Sequence, residues 1–372
     1  MNYGESNENF NETGDIVVDL RSDTFTKPSK AMRQAMGDAE VGDAVFNEDP
    51  TVNELQDKVA KLLGKEAAIY LPSGTMSNLV AILTHCDVRG CEAYCGEQAH
   101  IVHHEQGGAA QVGGVLLRTI PNKLDGSFDL KILESKFRND SVHEPISRLI
   151  AVENTIGGRI VPQSWIKELA VLAKKYNLKL HLDGARIWNV SVATNIPLEE
   201  LAAPFDSVSC CLSKGLGAPV GSLLCGSKEF IQKAKRAQKV LGGGMRQAGV
   251  LAAAGLVALD ETLPLLKQDH ERAYSIAKAI DSINSKTFTV NLSEVQTNMI
   301  FVSINSDKYD GICFAERLAA KDDTCAEGRV IVKSLALSSK MIRLVVNRDH
   351  TTPMIQAAID KIMHVIREIS KE

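Results

Sequence analysis

The middle of this chain alternates short apolar runs with stretches of helical periodicity, and that alternation constrains the fold more than any single motif. It argues for an α/β layer structure around a mainly parallel sheet. Asp49 and Pro50 read as the cap and first turn of a helix. Val52, Leu55, Val59 and Leu62 recur every three or four positions along it, and Gly64 ends it. A strand follows at Ala67–Leu71, and then a helix with Met76, Leu79, Val80 and Leu83 on one face. Residues 149–152 read as a buried strand, and Trp165, Leu169, Leu172 and Tyr176 mark the next helix. Leu180 and Leu182 lead a strand into Asp183, and residues 207–212 run into Ser213 and Lys214, with 220–225 as a return partner. After Leu259 a charged helical region precedes strand-like segments at Met299–Ile304 and 341–346. The expected organisation is a mobile tail over residues 1–14 and a large domain over 15–259 that includes an N-terminal active-site segment. A smaller α+β domain over 260–372 completes it.

Composition excludes several function classes. The 42 basic and 46 acidic side chains give a net charge of −4, with no electrostatic footprint for nucleic acid or an anionic membrane. The longest apolar stretch, residues 248–259, is too short to span a bilayer. The first fourteen residues, MNYGESNENFNETG, lack the apolar core of a signal peptide. Eight cysteines in a chain of this length suggest reduced thiols and a cytoplasmic setting. His85, Cys86, Cys91, Cys95 and His100 cluster in sequence, but their spacing misses an iron–sulfur pattern by one residue and no paired C-x2-C follows, so no metal is expected. The adjacent Cys210 and Cys211 read as core packing.

In an open α/β sheet, ligands bind at the carboxyl ends of strands, and three such ends carry reactive or anion-binding residues. At Ser73-Gly74-Thr75, small residues open a helix whose free N–H groups suit a phosphate, although an ordinary capped turn would look the same. Asp183-Gly184-Ala185-Arg186 places a carboxylate after a buried run, where it needs a cationic partner. A protonated pyridine nitrogen supplies one; the alternatives are a helix cap or a pair with Arg186. Ser213-Lys214-Gly215-Leu216-Gly217 puts a lysine at the end of an apolar strand, where burial favours the free amine and a Schiff base. A phosphate-binding lysine is the alternative, but no G-x-x-x-x-G-K-[ST] precedes it. Asp183 and Lys214 are 31 residues apart (214 − 183), room for one helix and one strand. Together these residues point to pyridoxal 5'-phosphate. His100 could lie on the cofactor ring opposite a small residue such as Ala185, or be structural. Arg343 could take a substrate carboxylate, or form a structural ion pair. Gly242-Gly243-Gly244-Met245-Arg246 lacks dinucleotide spacing and reads as a sharp turn near a ligand or subunit boundary.

Six blocks in one order resemble the low-specificity L-threonine aldolases of the aspartate-aminotransferase-like superfamily, over nearly the whole chain from about Asp19. They are Asp19-Leu20-Arg21-Ser22-Asp23-Thr24, Pro72-Ser73-Gly74-Thr75, Glu153-Asn154-Thr155, Asp183-Gly184-Ala185-Arg186, Leu212-Ser213-Lys214-Gly215-Leu216-Gly217 and Gly242-Gly243-Gly244-Met245-Arg246-Gln247. The resemblance implies a three-layer, mainly parallel large domain with a smaller C-terminal domain. It implies that Lys214 carries pyridoxal phosphate, Asp183 pairs with the pyridine nitrogen, and Arg186 lies near the cofactor hydroxyl and substrate carboxylate. It further implies that Gly74 and Thr75 bind phosphate with Arg246 of a neighbouring subunit, and that His100 stacks on the ring. Ser22 and Arg343 would hold the substrate carboxylate. His143, in a less faithful block, would match a second histidine near the substrate hydroxyl. The implied activity is cleavage of threonine or allo-threonine, a β-hydroxy amino acid, to glycine and acetaldehyde, a route to glycine, in a homotetramer with shared sites. A β-eliminating lyase or an aminotransferase on the same scaffold, or a cofactor-binding protein without activity, are the competing readings.

Overall fold

The computed structural model describes residues 15–139, 141–321 and 329–370; the tail expected over 1–14 lies outside the described residues. The chain divides into two compact units. One takes the residues up to Lys27, Lys214–Gly217 and Glu261–Glu372; the other takes Pro28–Ser213 and Ala218–Asp260. The first unit therefore draws on both ends of the chain, whereas the sequence reading assigned the N-terminal segment to the larger domain. Its first strand, β1 (Ile16–Asp19), pairs in parallel with a strand more than three hundred residues later. Such long-range pairing leaves no local signature.

The larger unit begins with α1 (Lys30–Asp38) and α2 (Pro50–Leu62). The Asp49 carboxylate caps α2 by accepting from the Val52 N–H at 2.9 Å, and Gly64 adopts φ +60° just past its end. Seven strands follow: β2 (Ala67–Leu71), β3 (Cys91–Gly96), β4 (Leu116–Ile120), β5 (Ile146–Glu153), β6 (Lys179–Asp183), β7 (Ser207–Cys211) and β8 (Ser222–Gly226). They form one sheet in the order β2-β8-β7-β6-β5-β3-β4. The pairs from β7 through β4 are parallel, and β8 runs antiparallel to both β7 and β2. This is the mainly parallel α/β sheet that the alternation implied.

Helix α3 (Gly74–His85) links β2 to β3 and packs on the sheet against β7 and β8. Its buried side is not the expected Met76–Leu79–Val80–Leu83 stripe. Ser77, Asn78, Val80, Ala81, Ile82 and Thr84 are buried, while Met76, Leu79 and Leu83 are only half-buried. Three of those buried residues, Ser77, Asn78 and Thr84, are polar, and periodicity counts only apolar ones. In α4 (Gln163–Lys175), Trp165, Ile166, Leu169 and Ala173 are buried, and Tyr176 lies exposed at the cap. Cys86, Cys91 and Cys95 sit among Ile82, Ala93, Leu149 and Ala151 in an apolar cluster, and Cys210 and Cys211 are buried as well. These thiols pack as small apolar groups.

In the other unit, β10 (Met299–Ile304) lies between β9 (Phe288–Thr289) and β13 (Met341–Val345), and β12 (Leu335–Ser338) flanks β13. The strand that pairs with β1 is β11 (Val330–Lys333). Val18, Leu20, Ile276, Phe288, Ile300, Phe314, Ile342 and Ile362 share its core. One helical run, Gly249–Ser282, extends well past the apolar stretch 248–259. It is long and apolar enough to cross a membrane by length and composition alone, and half of its most apolar window is buried.

Candidate active site

The chemistry of the larger unit gathers at the carboxyl ends of β6 and β5. Asp183 closes β6 and is 5% exposed. Its Oδ2 accepts from the Asn78 amide at 2.7 Å and its Oδ1 from the Ala185 N–H at 3.1 Å. The second bond is a local turn contact; the helix that follows is capped at Arg186 without a side-chain bond, so Asp183 is not its cap. The first comes from α3 and has no local origin. Hydrogen bonds to a charged acceptor contribute about 1.5–3 kcal/mol each, enough to keep a buried carboxylate in place. Gly184 fits only because it lacks a side chain: a Cβ there would lie 2.9 Å from the Ser209 carbonyl oxygen.

His100 opens a short helical turn, His100–His103. Its backbone N–H donates to Glu153 Oε2 at 2.7 Å, and its Nδ1 lies 2.9 Å from Glu105 Oε1. Glu105 is 7% exposed and also accepts from Asn78 at 2.8 Å. Burial pushes the Glu105 carboxyl above its ordinary range, against the lowering effect of the bonds from His100 and Asn78. The Asn78 amide therefore bridges two carboxylates, and one ligand atom each from His100, Glu105 and Asp183 lie within 4.8 Å of one another. The structure thus links His100 to Asp183 through Glu105 and Asn78, which the sequence reading missed.

Ser73 caps α3, its Oγ accepting from the Met76 N–H at 3.1 Å. Gly74 and Thr75 form the first turn, whose N–H groups have no acceptor within the helix. A Cβ on Gly74 would stand 2.7 Å from Cys211 Sγ, so the helix can start this close to β7 only with glycine. Arg186 precedes α5 (Ile187–Thr194). Arg246 is exposed and pairs with Asp43 at 2.8 Å. In the same glycine-rich turn, Gly242 adopts φ +76°.

The structure does not bring His143 to this cluster. His143 is exposed and lies three residues before β5, whereas Glu153 ends that strand. Seven strand steps span about 23 Å, and three residues of chain reach back at most about 11 Å.

The smaller unit holds the remaining expected residues. Ser22 is 8% exposed, and its Oγ accepts from the Thr24 N–H and lies 3.0 Å from Thr24 Oγ1. Arg343, on β13, donates from Nη2 to the carbonyl of Arg21 at 3.0 Å. Asn347 Nδ2 donates to the Ser22 carbonyl at 3.4 Å. The Nη2 bond ties Arg343 to Arg21, the residue next to Ser22. Lys214 is half-buried, and its carbonyl accepts from Thr26 Oγ1 at 3.1 Å and from the Gly217 N–H at 2.8 Å. A Cβ on Gly217, at φ +78°, would meet the Arg348 side chain at 2.6 Å.

The model of the family described as beta-eliminating lyase matches residues 19–305. A low-specificity L-threonine aldolase of Arabidopsis thaliana is 46% identical over 341 residues, covering 90% of this chain and 92% of that protein. The low specificity L-threonine aldolase of Escherichia coli is 45% identical over 78% of this chain and 86% of its own length. Among solved structures, the threonine aldolase of Leishmania major superposes with a TM-score of 0.76 at 18% identity, covering 94% of this chain and 99% of that one. That likeness places the architecture in the aspartate-aminotransferase-like fold. The chain belongs to the beta-eliminating lyase family, within its group of low-specificity L-threonine aldolases.

Proposed function

We propose that this chain cleaves L-threonine and L-allo-threonine to glycine and acetaldehyde with pyridoxal 5'-phosphate as cofactor, as a cytoplasmic homotetramer. The observation that carries the reading is Asp183, a buried carboxylate at a strand end that receives hydrogen bonds from Asn78 and Ala185. A buried anion held in this way suits a cationic ring nitrogen. The residues present fit the rest of the cofactor too. Ser73, Gly74 and Thr75 open a twelve-residue helix that can take the phosphate, with Arg246 of a neighbouring copy. Lys214 holds the cofactor covalently, His100 and Ala185 flank its ring, and Arg186 serves its hydroxyl and the substrate carboxylate.

When bound, the cofactor supplies an electron sink for the pair released from the Cα–Cβ bond. The protein's task is to orient that bond and move protons. Ser22 and Arg343 hold the substrate carboxylate, Arg343 through its planar fork. With Glu105 as a carboxylate, the proton of His100 sits on Nδ1, and Nε2 carries the lone pair. Nε2 is then the atom that takes the β-hydroxyl proton, a contribution of about 10²–10⁴ in rate. His143 could serve only from another copy of the chain.

The test is product analysis of the cofactor-loaded protein with each epimer. Acetaldehyde and glycine in equal amounts support the reading. Pyruvate with ammonia, or a keto acid formed with an amino acceptor, overturns it.

A further inference from the structure

Behind Asp183 the larger unit contains a hydrogen-bonded chain that the reaction above does not use. His181 Nε2 lies 3.1 Å from Asn78 Oδ1, and His181 Nδ1 lies 2.8 Å from Ser207 Oγ. Ser207 Oγ in turn lies 2.7 Å from His85 Nε2. Asn78, His181 and Ser207 are at most 2% exposed. His85 stacks on Phe230, ring centroids 4.6 Å apart, and lines a cavity of about 510 Å³ that also borders Arg148, Lys179 and Asp206. These last residues stand at or near the amino ends of β5, β6 and β7. The chain therefore runs from the carboxyl side of the sheet to its amino side, alongside two turns of α3, a rise of about 10 Å.

Its direction is dictated by chemistry. Carboxylates only accept, so both Asn78 hydrogens point to Asp183 and Glu105, and the Asn78 oxygen must face His181. That oxygen only accepts, so His181 carries its proton on Nε2. Burial lowers His181 to about 4 and His85 to about 3, so both rings are neutral near pH 7. His181 Nδ1 then accepts from the Ser207 hydroxyl, and Ser207 accepts from His85 Nε2–H. Every donor points toward Asp183, and bonds aligned in this way polarise one another.

We propose that Asn78, His181, Ser207 and His85 form a one-way hydrogen-bond relay that fixes the position of Asp183 toward the cofactor. They are positioning residues, and the proposal rests on the reading that Asp183 serves a pyridoxal phosphate. Removing a donor from the relay weakens cofactor binding and changes the cofactor's visible absorption, with an effect that fades with distance from Asp183.

The test uses the cofactor-loaded protein and reads two quantities, the cofactor dissociation constant and the visible spectrum, alongside the melting temperature of the cofactor-free protein. Asn78→Ala should raise the dissociation constant about tenfold or more, the scale of a lost bond to a charged group. His181→Leu should act in the same direction, and Ser207→Ala more weakly, by about two- to fivefold. His181→Gln, whose amide can donate to Asn78 and accept from Ser207, should restore most of the wild-type spectrum and affinity. Should Asn78→Ala fail to fold, Ser207→Ala and the His181 pair decide. A purely structural network would lower melting temperatures but leave the spectrum and affinity of loaded variants unchanged. That outcome, with a wild type that loads normally, overturns the relay alone. A wild type that forms no cofactor band overturns the reading of Asp183, and the relay with it.

Discussion

Gly184→Ala isolates one methyl group beside Asp183. The added Cβ would stand 2.9 Å from the Ser209 carbonyl oxygen and 3.2 Å from the Ile187 Cβ. The Gly184 N–H donates to that same carbonyl at 2.8 Å, so the contact cannot relax without stretching the bond or moving β7. Relief needs a shift of several tenths of an ångström, and overpacking of this kind costs about 1–3 kcal/mol. The smaller unfolded-state entropy of alanine offsets about 0.4–1 kcal/mol of that. The expected net loss is about 1–2 kcal/mol, read as a lower melting temperature. Activity should fall further than stability alone requires. A misplacement of about 1 Å can cost about a hundredfold in rate, so a shift of several tenths should lower kcat about three- to thirtyfold. Gly37→Ala is the control. It lies in α1 with open space around its Cβ, and alanine there should stabilise the helix by up to about 1 kcal/mol with kcat unchanged. A Gly184→Ala protein with wild-type melting temperature and kcat would refute the packing argument.

Other expectations follow from the same geometry. Arg343→Lys should raise KM for threonine about tenfold or more with a smaller effect on kcat, because a point charge replaces a bidentate fork; an unchanged KM would remove Arg343 from carboxylate binding. His143→Ala should leave cofactor affinity unchanged, and an effect on kcat would require supply of His143 from a neighbouring copy, detectable by restored activity in mixed oligomers with a Lys214→Ala chain. Stability should fall as pH drops from about 6.5 toward 4. Burial lowers His85 to about 3 and His181, His270 and His350 to about 4, so the folded state takes up these protons less readily than the unfolded chain. Their contribution is complete above the ordinary histidine value and is lost through that window. Burial holds Asp269 up at about 8 and also raises Glu105 and Asp349; these act in the opposite sense but only partly offset the four histidines. Urea midpoints that do not change between pH 7 and 5 would contradict this.

Much of the larger unit was legible in the sequence because its determinants are local. Asp49, Pro50 and Gly64 bracket α2, and β2 begins and ends where its apolar run does. The close approaches that require glycine at 74 and 184 are set by the sheet rather than announced nearby in sequence. The polar partners of Asp183 were harder to see, because apolar periodicity ignores them. Their spacing was nonetheless present. His181 and Asp183 are two residues apart on one strand and share a face, and Asn78 and His85 are seven apart on one helix. The register that puts Ser207 opposite His181 is a long-range fact of the sheet. The same holds for β1, whose partner β11 no nearby residue announces.

The central claim is that Lys214 carries the cofactor. Borohydride reduction of the loaded protein, followed by peptide mapping, tests it most directly. The account predicts one covalent cofactor adduct, on the peptide containing Lys214, and none in Lys214→Ala. An adduct on a different lysine of the wild-type protein would contradict it.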